Sequence, residues 1–412
     1  MKIVGPFKQI VTLAGLPLRG ALADEDLQIL HHAGVLIDQG VVVKVGDFET
    51  LKLEADQVQE VIGDQVLLPG FIDCHTHICF GGTRANDFAM RNAGKSYLEI
   101  AESGGGIWSS VQHTREADFE TLLKSLLERI EYLKSIGITT IEVKSGYGLN
   151  LEQELKMLRV IQKASTMTKV TLVPTCLAAH MKPKDYDSKA HSDRTYLEYV
   201  LEEILPVVQK ERLAKRVDVF IEKSAFEPKE SAEFLSKAKQ LGFDLTVHAD
   251  QFTSGSSQVA VDAGAKSADH LEASSNEAIA YLAKSETVAV ALPGASLGLG
   301  EPFTPARKLL DQGAILAIGS DWNPGSAPMG NLIAQASILA SYEKLSTAEV
   351  FAALTFRAAH ALGLDERGTI ERGKKADFVS YNTDNYQTIL YRQGTLAPSA
   401  TYINGDLHYG DY

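Results

Sequence analysis

Cysteine is scarce in this chain. Its 412 residues include only Cys74, Cys79 and Cys176. None of these pairs has Cys-x-x-Cys spacing, and an odd number cannot pair completely. This excludes a fully paired disulfide framework and argues for a reducing compartment. Long apolar runs are also lacking. None reaches the roughly 18–20 residues needed to cross a bilayer. The opening Met1-Lys-Ile-Val-Gly-Pro6 lacks the apolar stretch and cleavage site of a secretory signal, so a cytoplasmic protein is expected. Cations are in deficit: 40 Lys and Arg against 53 Asp and Glu leave a net charge of −13. Such a surface repels phosphate backbones and anionic lipid, which removes nucleic acid and membranes from the expected partners. A small-molecule substrate remains, and an anionic one requires cations placed locally.

Apolar residues make up 45% of the chain and charged residues 23%, as in globular proteins. The length exceeds what one compact core usually takes, so a large domain with a smaller companion is expected. Both ends are rich in β-branched runs. Residues 34–46 hold two such runs around Gln39-Gly40, a hairpin pattern, and Asn404-Gly405 marks a second turn near the end. A β-sandwich domain built from 1–65 and 370–412 is expected, flanking a core of 66–369.

That core alternates. Apolar strand-like runs fall at 66–74, 139–144, 170–175, 217–222, 244–248, 267–271, 288–292 and 314–320. Helical periodicity lies between most of them, at 119–133, 151–163, 196–210 and 229–241. Alternating strands and helices imply a parallel sheet, and eight units imply a closed (β/α)₈ barrel in preference to a doubly wound sheet.

In such a barrel the active site forms at the C-terminal ends of the strands. These ends carry the unusual polar residues: Asp73-Cys-His75-Thr-His77, Lys144-Ser-Gly-Tyr147-Gly, His180, Glu222, His248-Ala-Asp250-Gln251, Asp269-His270 and Asp321-Trp-Asn323-Pro-Gly325-Ser326. Residues i and i+2 of a strand share a face, so His75 and His77 can take adjacent positions on one metal. With His248 and Asp321 they suit zinc or another first-row divalent ion, which lowers the pKa of a bound water from about 15.7 toward about 7. Asp321 reads as ligand, proton acceptor or both, with a helix cap as the plain alternative. His270 reads as a fourth nitrogen ligand, an acid/base group, or a core histidine bonded to Asp269. Glu222 is open between supporting a ligand and a structural role. A modified lysine bridging two metals belongs near the fourth strand, whereas Lys144 ends the second and Lys223 follows Glu222. One metal is therefore expected.

These residues resemble the amidohydrolase superfamily. Longer segments narrow the resemblance to its imidazolonepropionase family: Pro69-Gly-Phe-Ile-Asp-Cys-His-Thr-His-Ile-Cys-Phe-Gly-Gly-Thr-Arg84, Gly104-Gly-Gly-Ile107, Glu142-Val-Lys-Ser-Gly-Tyr-Gly148, Ala179-His180, Ser267-Ala-Asp-His-Leu271 and Ser320-Asp-Trp-Asn-Pro-Gly-Ser326. The resemblance runs from about residue 35 to the end. It implies hydrolytic opening of 4-imidazolone-5-propanoate to N-formimidoyl-L-glutamate, with one Zn²⁺ or Fe³⁺ per subunit held by His75, His77, His248 and Asp321. It assigns substrate binding to Arg84, Tyr147, His180, Gln251, Asn323, Gly325 and Ser326, catalysis to Asp321, His270, His180 and Gln251, and a homodimeric assembly. Arg84 offers the planar two-pronged donor a carboxylate wants, although a solvated surface charge is the commoner fate of an arginine. Tyr147 reads alternatively as a plain loop aromatic, and Gly325 lets backbone N–H groups approach an anion. Gln251 departs from the family's usual Glu. A neutral amide takes no proton at pH 7 but can still orient a partner, so proton transfer is expected of Asp321 and His270. A deaminase or cyclic-imide hydrolase on the same barrel, and a non-catalytic binding protein, are the rival readings.

Overall fold

The apolar run at 66–74, expected as one strand, is two strands in two different sheets. In the computed structural model, which describes residues 1–223 and 225–410, the break falls at Pro69-Gly70. Gln65–Pro69 pairs antiparallel with Phe378–Asn382, whereas Phe71–Asp73 pairs parallel with Ile138–Lys144. Gly70 is required at the crossing, since a Cβ there would lie 2.5 Å from the Thr139 side chain.

Phe71–Asp73 is the first of eight parallel strands. The others, each paired to the one before, are Ile138–Lys144, Thr171–Ala179, Arg216–Phe220, Asp244–Ala249, Ser267–His270, Val288–Ala291 and Leu316–Ile318. The seam between last and first closes just beyond the strands. Asp321 donates its backbone N–H to the His75 carbonyl at 3.0 Å, and His77 donates to the Trp322 carbonyl at 3.0 Å. Asp73 Oδ1 accepts the Ser320 N–H at 2.9 Å across the same seam. Barrel closure therefore brings residues 75–77 and 321 side by side, although the chain separates them by most of its length.

Helices cover the barrel. Phe119–Ser135 starts at Asp118, whose carboxylate caps Thr121 N–H, and buries Leu122, Leu123, Leu126, Ile130 and Leu133 against the strands. Each such side chain contributes about 1.5–3 kcal/mol by burial. The helix expected over 196–210 is interrupted: Tyr196–Tyr199 passes through a π-helical turn at Val200–Ile204 before Leu205–Lys210 resumes. Pro206 has no N–H to return to the preceding turn, and its ring needs the extra room.

The termini build a small β-sandwich domain. Its strands are Lys2–Val11, Ile29–Asp38, Val41–Asp47, Gln57–Glu60, Gln65–Pro69, Phe378–Asn382, Ala400–Ile403 and Asp406–Gly410. Val4, Phe7, Ile10, Val35, Ile37 and Phe378 give it a core of its own. Both hairpin turns form with two consecutive positive φ values, at Gln39-Gly40 and Asn404-Gly405, as a two-residue turn between twisted strands requires. No helix among the described residues is long and apolar enough to cross a membrane.

Candidate metal centre and active site

Three imidazole nitrogens meet at the mouth of the barrel. His77 Nε2 lies 3.3 Å from His75 Nε2 and 3.2 Å from His248 Nε2. The ligand atoms of the three histidines all lie within 4.8 Å of one another. Asp321 Oδ1 approaches from one side, 3.6 Å from His75 Nε2 and 3.4 Å from His77 Nε2. A cation with ligands at about 2.1 Å in tetrahedral array separates them by about 3.4 Å, which matches these spacings. Asp321 starts no helix: the next one, Leu332–Glu343, is capped by Asn331, so the capping alternative for Asp321 fails.

The other nitrogens of two of these rings show why a cation fits. His75 Nδ1 is 2.7 Å from Asp269 Oδ2, and His248 Nδ1 is 2.9 Å from Asp218 Oδ2. Asp269 accepts the His75 Nδ1–H and Asp218 Oδ2 stands at ion-pair distance from His248 Nδ1, so the Nε2 atoms face one another as bare lone pairs. Burial first, then neighbouring cationic groups, hold His75 and His77 well below the usual imidazole pKa. Burial also lowers His248, against the pull of Asp218. Neutral, converging lone pairs are a ligand set. Asp269 therefore serves His75, and the expected pairing of Asp269 with His270 is replaced by His270 Nδ1 facing Glu272 Oε1 at 3.4 Å. Lys144 does not reach the metal position. Its Nζ is held 2.7 Å from Glu142 Oε1 and 2.8 Å from Asp218 Oδ2.

His77, His248 and Asp321 open into a cavity of about 500 Å³, lined also by Arg84, Tyr147, His180, Gln251, His270, Asn323 and Ser326. Arg84 is fixed by an Asp87 carboxylate 2.7 Å from its Nε. Asp87 in turn accepts the Gly106 N–H at 2.8 Å, and a Cβ on Gly105 would sit 2.5 Å from Asp87 Oδ1. The Gly104–Gly106 motif thus supports Arg84. Gly325 acts otherwise than expected. Its N–H goes to Asn323 Oδ1 at 2.8 Å, and a Cβ on it would lie 2.0 Å from Arg84 Nη1. What Gly325 provides is room for the guanidinium. Asn323 Nδ2 meanwhile donates to Asp321 Oδ2 at 3.0 Å and to Ser326 Oγ at 2.9 Å, so this turn orients Asp321. Sequence reasoning missed Arg91, a second guanidinium on the cavity wall whose buried Nε has no hydrogen-bond partner among the described residues.

His180 donates Nδ1–H to the Gly146 carbonyl at 3.0 Å, and burial lowers its pKa to about 3. Its Nε2 is then an acceptor, suited to a substrate N–H and not to a carbonyl oxygen. The Tyr147 loop is anchored by Glu154, which accepts the N–H groups of Gly148 and Leu149 at 2.8 Å each. Glu222 proves structural: it accepts the Phe252 and Thr253 N–H groups at 3.0 Å and so holds the loop that carries Gln251. Burial alone would lower His270, but Glu272, Asp321 and Asp269 raise it above the ordinary imidazole value. Asp218, Glu154 and Glu272 were also missed. The signal available for Asp218 was its place inside a strand, directly between Val217 and Val219. Glu154 and Glu272 lie in a helix and a loop that carry no such contrast.

An amidohydrolase family model matches residues 66–407. The imidazolonepropionase of Bdellovibrio bacteriovorus is 41% identical over 98% of this chain and 96% of its own length. That of Clostridium tetani is 34% identical over 99% and 98%. Among solved structures, an E. coli guanine deaminase superposes with a TM-score of 0.74 at 17% identity, covering 100% of this chain and 99% of its own. A zinc complex of an Arthrobacter aurescens atrazine chlorohydrolase gives 0.71 at 15%, covering 100% and 95%. At such identities these two likenesses concern the fold alone.

Proposed function

The chain belongs to the amidohydrolase family and, within it, to the imidazolonepropionases, and we propose that it hydrolyses 4-imidazolone-5-propanoate to N-formimidoyl-L-glutamate at the barrel mouth. The observation that carries the reading is one cavity holding both a three-imidazole, one-carboxylate cluster and a buttressed guanidinium. His75, His77, His248 and Asp321 hold one Zn²⁺ or Fe³⁺. When bound, such a cation acidifies water at neutral pH and polarises a carbonyl.

The chain's own groups do the rest. Arg84, on the cavity wall with its Nε tied to Asp87, takes the propionate. His180 accepts a ring N–H through its bare Nε2, which orients the heterocycle. Burial lifts the Asp321 carboxyl to about 6, so the ionised form is a competent acceptor for the proton of the attacking water. His270, held toward its protonated form by Glu272, delivers a proton to the leaving ring nitrogen. Gln251 positions without proton transfer.

Turnover of imidazolone propionate by protein of known metal content tests the reading, with guanine, cytosine and hydantoin assayed alongside. Hydrolysis of any of these three in preference to imidazolone propionate sinks it. Arg84→Met is expected to lower kcat/KM roughly 10- to 100-fold, mainly through KM, the worth of a charge-assisted hydrogen-bonded pair. An unchanged KM removes Arg84 from the carboxylate site. Gln251→Glu is expected to keep kcat within roughly tenfold, since a general base contributes about 10²–10⁴-fold and Asp321 already supplies it. A larger rise in kcat would assign proton transfer to position 251.

A further inference from the structure

Directly beneath the three imidazoles lies an ammonium with no access to solvent. Lys144 is 0% exposed, as are Glu142 and Asp218, and Asp269 is 1% exposed. We infer that Lys144 is a positioning residue for the metal site, aiming two of its three imidazoles through the carboxylates of Asp218 and Asp269. This rests on the metal-site reading above and extends it to a group that touches neither metal nor substrate.

The argument lies in which oxygen atoms are shared. Asp218 Oδ2 is 2.8 Å from Lys144 Nζ and 2.9 Å from His248 Nδ1. Asp269 Oδ2 is 3.9 Å from the same Nζ and 2.7 Å from His75 Nδ1. One ammonium thus joins two carboxylate–imidazole pairs. His248 lies on the Asp244–Ala249 strand and His75 just beyond the Phe71–Asp73 strand, so no local backbone relation fixes one ring against the other. The ion-pair cluster supplies that relation from inside the barrel. Glu142 completes it, 2.7 Å from Nζ, and is itself held by the Thr175 hydroxyl at 2.5 Å. A lysine needed only to neutralise Glu142 would not have to sit against the two aspartates that serve metal ligands.

Without the ammonium, three buried carboxylates face one another with no cation among them. Like charges in a low-dielectric interior repel strongly, so the aspartates move apart and carry the Nδ1 partners with them. The rings then lose the contact that fixes orientation and tautomer, and a proton on Nε2 blocks the ligand position. Removing partners of metal-bound histidines costs typically 10- to 100-fold in metal affinity.

The test reads zinc affinity, by competition with a chromophoric chelator, and the absorption spectrum of the cobalt-substituted protein. Lys144→Met is expected to bind zinc at least tenfold more weakly than the parent and to shift the cobalt bands, while Lys144→Arg recovers part of the loss. Lys144→Met is combined with Asp218→Asn in one chain; if Lys144 works through Asp218, that double variant binds zinc no more weakly than the worse single one. Should Lys144→Met fail to fold, Asp218→Asn carries the measurement, with the same tenfold loss expected. A folded variant that binds zinc within twofold of the parent overturns the inference, and so do fully additive losses. Zinc affinity is read without substrate. Weakened zinc binding in a protein inactive on imidazolone propionate therefore sinks only the substrate reading, and unchanged binding beside normal parental turnover sinks only this one.

Discussion

His248→Ala is expected to purify without stoichiometric metal and to lose at least roughly 10⁴-fold in kcat/KM, because the acidification of water by about nine pKa units goes with the cation. The size of the effect follows from the geometry. His248 is the one ligand supplied from the far side of the barrel: His75, His77 and Asp321 all come from the closing seam. Three ligands on one wall leave the opposite face of the ion undefended. The truncation also strips Asp218 of the imidazole at 2.9 Å, leaving it to Lys144 alone. Elemental analysis and turnover on the same preparation check the result. A variant that keeps metal and activity would remove His248 from the site altogether. The parent protein treated with a strong chelator is expected to show the same loss and to recover on adding zinc, whereas the variant is not.

Asp321→Asn is expected to lose roughly 10³–10⁴-fold in kcat at pH 7 while keeping much of its metal, which separates proton transfer from ligation. Oδ1 faces two imidazoles and Oδ2 accepts the Asn323 amide at 3.0 Å, so the side chain is locked at both ends. An amide in its place fills the same volume but takes no proton. The pH profile carries the sign. Burial, opposed by His270 and Asn323, raises the carboxyl to about 6, and a cation beside it pulls that value down. The base acts when ionised, so parental activity is present above this pKa and falls as pH drops through it. The acid limb of kcat/KM is thus expected at or below about pH 6, and it disappears in the variant. A variant that retains both full kcat and the acid limb would move the base elsewhere.

Local chemistry made much of this legible from the chain alone. The 3.6- and 2-residue periodicities lie in neighbouring residues, so the eight strand–helix units and the two turn signals at Gln39-Gly40 and Asn404-Gly405 could be read directly. So could His75-x-His77, whose spacing alone places two rings on one side. The strand split at Pro69-Gly70 was not legible, because Val66, Leu67 and Leu68 are as apolar as Phe71 and Ile72 and differ only in which sheet they join. The role of Glu222 stayed open and that of Gly325 was misread for the same reason: what each touches lies 30 residues or more away.

Residue type, spacing and net charge by themselves determined a barrel of eight units, an acidic net charge and a set of candidate metal-binding side chains at strand ends. Only the tertiary structure decided which buried groups stand behind those side chains. Lys144, Asp218 and Asp269 come from three separate strands, and the ammonium lies 2.8 and 3.9 Å from the two carboxylates. Electrostatic pairing acts over distance in space, and the order of residues along a chain does not encode that distance until the barrel has closed.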